Sequence, residues 1–441
     1  MTSTADRAKS LGLAACVAVV VGNMVGSGFY LSPAAVAPYG LLAVLMWIVM
    51  GVGAICLGLT FARLATVVPA TGGPYAYTRM AYGDFAGFLV AWGYWISVWA
   101  SLPAIAFAFA GSLMNMLPVL NNKAMALALT LGAIWAVVGI NLRGVKAAGL
   151  FAAVTTYAKL VPFAGIALAG LFWVQRENLS QFNPSGEPLL SAAAALAPLT
   201  MFAYLGLESA TVPAGDVRDA ARTIPRSTII GVAIAAALYV LGTLVVLGVV
   251  PREQLMRSVA PFADAARLMW GDGAALAVAL AVIVSSIGAL NGWTLLMGQV
   301  PMAAAHDRLF PAFFGRLSAR GVPAQGIVVS AALATLLVAS QAMGSPGVRA
   351  FYNLLVSLST MTAVVPYAFC ALAVPLVAAW HGQRGAGAPR VGVVELIAFA
   401  FSLFTIYGCG PEAVLYGLTL LLLGLPVYVW QQRRARKEEA C

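Results

Sequence analysis

The chain has 441 residues, of which 62% are hydrophobic and only 9% are charged. Ordinary soluble domains carry about 25% charged residues, so lipid rather than water must be the solvent for most of this chain. The formal net charge of +10 reads as anchoring of cytoplasmic segments against anionic lipid, not as a nucleic-acid surface.

Apolar stretches of roughly 20 residues or more, enough to cross a hydrocarbon core of about 30 Å as helix, recur from end to end. In chain order they cover about 11–38, 41–67, 85–117, 124–141, 148–174, 189–214, 226–250, 273–305, 323–343, 350–380, 391–410 and 413–430. Irregular backbone cannot face lipid and no alternating barrel pattern appears, so the expectation is an all-α membrane protein with twelve transmembrane helices. Residues 1–430 then form one transmembrane domain, and 431–441 form a solvated cytoplasmic tail. The first stretch is too long for a signal-peptide core and lacks a clear cleavage site, so it stays in the mature chain. If both termini are cytoplasmic, eighteen of the 25 Lys and Arg residues fall in inside segments and six outside, with Lys159 alone within a helix. That bias is what the positive-inside rule requires, and a miscounted helix would scramble it.

Helix 1 is interrupted at Gly22-Asn23-Met24-Val25-Gly26-Ser27-Gly28, and helix 6 at Gly206-Leu207-Glu208-Ser209. Alone, a Gly-x-Gly in a membrane helix marks close packing or a kink. Two interruptions five helices apart mean something more. An odd offset brings the second copy in from the opposite face, the inverted-repeat arrangement whose broken helices build transporter sites. Unwinding at Gly26-Ser27-Gly28 frees amide donors suited to a carboxylate, while carbonyls around Asn23 suit an ammonium.

These segments, together with Arg222-Thr223-Ile224-Pro225-Arg226, Gly292-Trp293-Thr294-Leu295-Leu296, Gly298-Gln299 and Leu309-Phe310-Pro311, resemble the amino acid, polyamine and organocation transporters. Within that superfamily the likeness is to the basic amino acid and polyamine exchangers of arginine/agmatine type, in register from about Leu11 to Trp430. The resemblance implies five plus five inverted helices, about 11–174 and 189–380, with two appended helices over 391–430. It further implies a secondary transporter in the cell inner (plasma) membrane, moving an amino acid or its amine by exchange or proton coupling. No cofactor is expected, and a second copy of the chain is a candidate partner. By resemblance, Ser27 and Gly28, with Gly26, hold a carboxylate, while Asn23 and backbone near Phe202 and Leu205 hold the amino group. Phe202 stands where arginine/agmatine exchangers carry a guanidinium-stacking tryptophan, and Trp293 matches a second aromatic. Phenylalanine is the weaker cation–π partner. Ser97, Val98, Leu102 and Ile105 match lining positions of helix 3, Leu102 replacing an asparagine. Ser359 matches a polar contact, and Tyr94 and Tyr367 match gate tyrosines. The overall resemblance implies arginine, agmatine or a related cationic pair as solutes, with neutral amino acids, toward which Phe202, Leu102 and Lys159 point, as the alternative.

Ionisable residues inside a bilayer cost a few kcal/mol and are seldom kept without use. Glu208 lies at the helix 6 break and matches a glutamate credited with gating and proton sensitivity; a helix-to-helix hydrogen bond is its plainer role. Lys159 lies about 11 residues into helix 5, near the midplane, where snorkelling is difficult. In other branches of the superfamily a lysine here stands in for a sodium ion. Glu395, near the start of helix 11, is expected at the interface. His306 and His381 fall at helix ends, the cysteines share no metal spacing, and no phosphate-binding loop occurs, so an enzyme, a metal site and ATP drive find no support. Nothing resembles a channel filter. A transport-inactive membrane sensor is the alternative of another class.

Overall fold

The computed structural model describes residues 12–67, 73–143, 161–209, 211, 217–343, 348–380 and 391–439. Among these residues no strand forms. In chain order the helices are α1 (Leu13–Met24), α2 (Ser27–Tyr30), α3 (Ser32–Val36), α4 (Leu41–Val67), α5 (Pro74–Tyr82), α6 (Asp84–Met116), α7 (Lys123–Asn141) and α8 (Val161–Trp173). They continue with α9 (Leu189–Tyr204), α10 (Ala220–Val249), α11 (Arg252–Arg257), α12 (Pro261–Trp270), α13 (Asp272–His306), α14 (Ala324–Met343), α15 (Val348–Trp380), α16 (Val393–Gly408), α17 (Gly410–Leu422) and α18 (Gly424–Glu439).

Seven helical stretches among the described residues are long and apolar enough to cross a membrane: Leu41–Val67, Asp84–Met116, Lys123–Asn141, Arg222–Val249, Asp272–His306, Ala350–Val377 and Gly410–Arg434. Five shorter apolar helices accompany them: Leu13–Met24, Val161–Trp173, Leu189–Tyr204, Ala324–Ser340 and Val393–Gly408. Two of the five are short because the chain breaks there, after Met24 and after Tyr204.

α6 is apolar on every face and almost wholly buried, packed against α5, α7, α13, α14 and α15, so it carries no amphipathic stripe. α1, α4 and α10 approach closely through glycines. A Cβ at Gly58 would lie 2.8 Å from Thr228 Cγ2, and one at Gly231 would run into Val20, the small-residue contact that substitutes for hydrophobic driving force in lipid. Beyond the first break, Phe29 lies among Trp47, Tyr239, Phe163 and Phe262, with ring centroids 5.8, 4.6, 5.9 and 5.0 Å away.

One recurrence escapes a hydropathy reading. The short helices α5 and α12 both start with a proline and both run into a long helix through Arg-x-x-aromatic-Gly-Asp: Arg79 to Asp84 and Arg267 to Asp272. Gly83 (φ 87°, ψ −178°) and Gly271 (φ 86°, ψ −175°) adopt the same left-handed turn, which glycine accepts without strain. In both, the arginine Nε donates across the turn to the aspartate Oδ1, at 2.7 and 2.9 Å.

Candidate functional site

Helix α1 closes with Val25 N donating to Val21 O at 2.8 Å; Gly26 is extended (φ −141°, ψ −163°) and helix resumes at Ser27. Helix α9 closes at Tyr204, and residues 205–209 turn, with Gly206 at φ 97°. Both breaks leave amides and carbonyls without helical partners. They meet: Asn23 Nδ2 donates to Ser209 Oγ at 2.8 Å, and Ser209 Oγ donates to the Gly206 carbonyl. The glycines make that meeting sterically feasible. A Cβ at Gly292 of α13 would lie 2.7 Å from Asn23 Oδ1, one at Gly28 would lie 2.8 Å from Phe202 Cδ1, and one at Gly26 would lie 3.0 Å from Ala289 Cβ.

Between these surfaces lies a narrow cavity of about 20 Å³. Seven residues singled out in the sequence line it: Asn23, Gly26, Gly28, Ile105, Phe202, Leu205 and Trp293. Met24, Ala203 and Ala289 complete the wall; sequence reasoning passed over them because small and aliphatic residues carry no chemical signal in an apolar helix. Ligand pockets usually run to roughly 300–1,000 Å³ and one water needs about 10–15 Å³, so the walls are drawn together and a solute needs them to part.

The other lining candidates lie elsewhere. Ser97, Val98 and Leu102 of α6 and Ser359 of α15 are fully buried and not on the cavity wall. Ser359 Oγ donates to the Ser97 carbonyl at 3.0 Å, and Ser101 Oγ, which sequence reasoning missed, reaches the same carbonyl at 2.6 Å and Ser359 Oγ at 2.5 Å. This hydroxyl cluster ties α6 to α15. Ser27 contributes the first residue of α2. Lys159 lies outside the described residues.

Glu208 is fully buried in the turn that ends the α9 break. Tyr94 Oη of α6 donates to its Oε1 at 2.5 Å and Tyr367 Oη of α15 to its Oε2 at 2.6 Å. Phe61 packs edge-on against Tyr367, ring centroids 5.2 Å apart. Three of the four gate and proton-coupling candidates, Tyr94, Glu208 and Tyr367, therefore form one cluster; the fourth, Lys159, lies outside the described residues. A phenol both donates and accepts, so either carboxyl oxygen can take up a proton and keep its partner by reversing one hydrogen bond.

Two charged networks lie outside this centre. Glu395, expected at the interface, is buried and pairs with Arg63 of α4. Asp307, just past α13, binds Arg79 Nη1 at 2.7 Å and accepts from Tyr75 Oη. Burial pushes the Tyr75 phenol up, Asp307 adds to that, and Tyr75 therefore remains the proton donor.

Residues 11–416 match the amino acid permease family. The chain belongs to that family. This permease is 27% identical over 432 residues to the putrescine transporter of Escherichia coli (strain K12), covering 96% of each chain. It is 31% identical over 364 residues to the cadaverine/lysine antiporter of the same strain, covering 82% of each. A Bacillus subtilis (strain 168) chain provisionally described as an arginine/ornithine antiporter is 29% identical over 476 residues, covering 98% of this permease and 99% of its own length. The permease is a multi-pass membrane protein, and its relatives are transporters rather than enzymes.

Proposed function

We propose that this permease is a secondary active antiporter that exchanges a cationic amino acid for an amine by alternating access. The carrying observation is the cavity at the meeting of two broken helices, with a buried carboxyl held by two phenols beside it. The relatives named for putrescine and for cadaverine and lysine indicate lysine- or ornithine-sized cations and their diamines; arginine with agmatine is a further pair to test. Counting the five shorter apolar helices as spans with the seven long ones gives the proposed twelve. The five-plus-five inverted repeat is supported by the Arg-x-x-aromatic-Gly-Asp turns, because they precede two long helices, α6 and α13, that stand five spans apart. Both termini are then cytoplasmic, the membrane is the inner (plasma) membrane, and residues 1–430 form one transport domain.

In this reading, amides at Gly26, Ser27 and Gly28 take a carboxylate when one is present. Asn23 and the backbone near Phe202 and Leu205 take the amino group. Phe202, Trp293 and Ile105 contact the aliphatic chain, and Ser97, Val98, Leu102 and Ser359 join the wall as it opens. Glu208, with Tyr94 and Tyr367, closes one side and carries a proton, while Lys159 supplies a fixed charge beside the helix 1 break. Membrane lipid surrounds the bundle, and a homodimer is its candidate assembly.

Purified protein in liposomes loaded with unlabelled lysine, ornithine, arginine or their amines should accelerate uptake of labelled lysine or putrescine. No acceleration by any internal solute refutes exchange. A neutral-solute reading has one observation in its favour: none of the ten residues lining the cavity is charged, the Asn23 amide and the Trp293 indole being its polar side-chain groups. Competition by alanine or leucine, with none from lysine, arginine or diamines, reverses the choice.

A further inference from the structure

The last apolar span, Gly410–Arg434, ends inside α18. Along that helix Tyr428 and Gln431 share one face, and Trp430, Arg433 and Arg434, at i, i+3 and i+4, share another. The first face is docked. Tyr428 packs on Phe85 and Phe88, ring centroids 5.4 and 5.0 Å apart, and Gln431, only 6% exposed, donates from Nε2 to the Phe310 carbonyl. The second face is exposed: Val429 and Trp430 are 48% and 51% exposed, and Arg433 and Arg434 are exposed, Arg434 also interacting within the chain.

The docked face reaches a consequential turn. Leu309 N and Phe310 N both donate to the Ala304 carbonyl, at 2.9 and 3.2 Å, and Arg308 between them and Asp307 sits at φ 61°, a left-handed conformation that costs a non-glycine residue free energy. Asp307, its neighbour, holds Arg79 and Tyr75 of α5. Gln431 thus tethers the turn on which the Asp307 network depends.

We propose that α18 is a strap that binds anionic phospholipid through Trp430, Arg433 and Arg434 and transmits that binding, through Gln431, to the Phe310 turn. An indole at the end of an apolar span sits at headgroup depth. Guanidinium groups one turn further bind phosphate in bidentate fashion, and their charge selects anionic over zwitterionic headgroups. The sequence continues with Arg436 and Lys437 before Glu438 and Glu439. Because docking and lipid use different faces, they reinforce each other rather than compete. The rate readout below rests on the antiporter reading; the lipid-retention readout does not.

The test measures retained phosphatidylglycerol by native mass spectrometry, alongside exchange in vesicles of phosphatidylcholine with and without phosphatidylglycerol. The parent protein should retain phosphatidylglycerol and exchange at least about threefold faster in the anionic vesicles. R433Q/R434Q should retain roughly 25-fold less lipid, at roughly fivefold per arginine, and lose the acceleration while its rate in phosphatidylcholine is unchanged. Gln431→Ala should keep the lipid and lose the acceleration. Retention by R433Q/R434Q equal to the parent overturns the strap, as does acceleration by inorganic phosphate in phosphatidylcholine vesicles, which would mean a site for free anions. If no vesicle supports exchange, the antiporter reading fails, and retention by the parent against R433Q/R434Q still decides the lipid face.

Discussion

The cavity at the helix breaks and the carboxyl cluster beside it share one turn of chain, Leu205 to Ser209, and are built in opposite ways. Around the cavity, shape comes from missing side chains: Gly26, Gly28, Gly206 and Gly292 each stand where a methyl would meet a neighbour at 2.7–3.2 Å. Around Glu208, full-sized polar side chains from α6 and α15 converge, and both carboxyl oxygens are satisfied. A wall made of backbone and apolar surface adapts to solutes of different length. A satisfied buried network is stiff and opens as a unit, because a half-satisfied one is costly in a low dielectric. In the proposed function binding falls to the first region and gating to the second, and five substitutions test that division.

The largest effect is expected where the cavity has least room. Gly292→Ala forces a methyl against Asn23 Oδ1, and overpacking of about 1–3 kcal/mol converts to roughly 5- to 150-fold weaker solute binding. Equilibrium titration checks this; parental affinity in that variant breaks the claim that Asn23 is held by the absent side chain.

Glu208→Gln comes next and acts on the other region. The amide retains both phenol contacts but loses the charge-assisted part, about 1.5 kcal/mol, so exchange should slow roughly tenfold while affinity holds within about threefold. Its transport profile across roughly pH 5 to 8 should go flat, since the titrating group is gone. A parental pH profile removes Glu208 from proton coupling.

Tyr94→Phe and Tyr367→Phe each delete one donor to the same carboxyl, costing about 1 kcal/mol, or roughly fivefold in exchange rate. Their double variant should depart from additivity because they share a partner. Additive losses, read from the four exchange rates of the cycle, would mean the phenols act independently and the cluster does not open as one unit.

Phe202→Trp is the smallest change and sharpens the solute question. A larger π-face adds about 0.5–1 kcal/mol toward a cation, roughly two- to fivefold tighter lysine or cadaverine, with no gain for alanine. Equal gains for charged and neutral solutes, in competition binding, place the ring in packing alone.

Hydropathy located every apolar helix described here, because in lipid each backbone amide must find its partner within four residues and so the signal is local. The breaks at Gly26 and Gly206 were legible for the same reason, as was the choice of Glu208, whose charge is conspicuous in an apolar run. Which residues meet there was not. Tyr94 and Tyr367 lie 114 and 159 residues from Glu208, and resemblance rather than any periodicity brought them into view. Asn23 bonding to Ser209, Gly292 yielding space to Asn23, and Ser101 joining Ser97 and Ser359 are decided by helix crossings that no local pattern encodes. The paired Arg-x-x-aromatic-Gly-Asp turns were present in the sequence all along, yet their identity as one device became visible only when both glycines were found in the same left-handed conformation with the same arginine–aspartate bond. Gln431 shows the limit most plainly: a polar residue at the head of a basic tail reads as solvated, and tertiary packing buries it on the Phe310 carbonyl because a backbone acceptor there needed a donor.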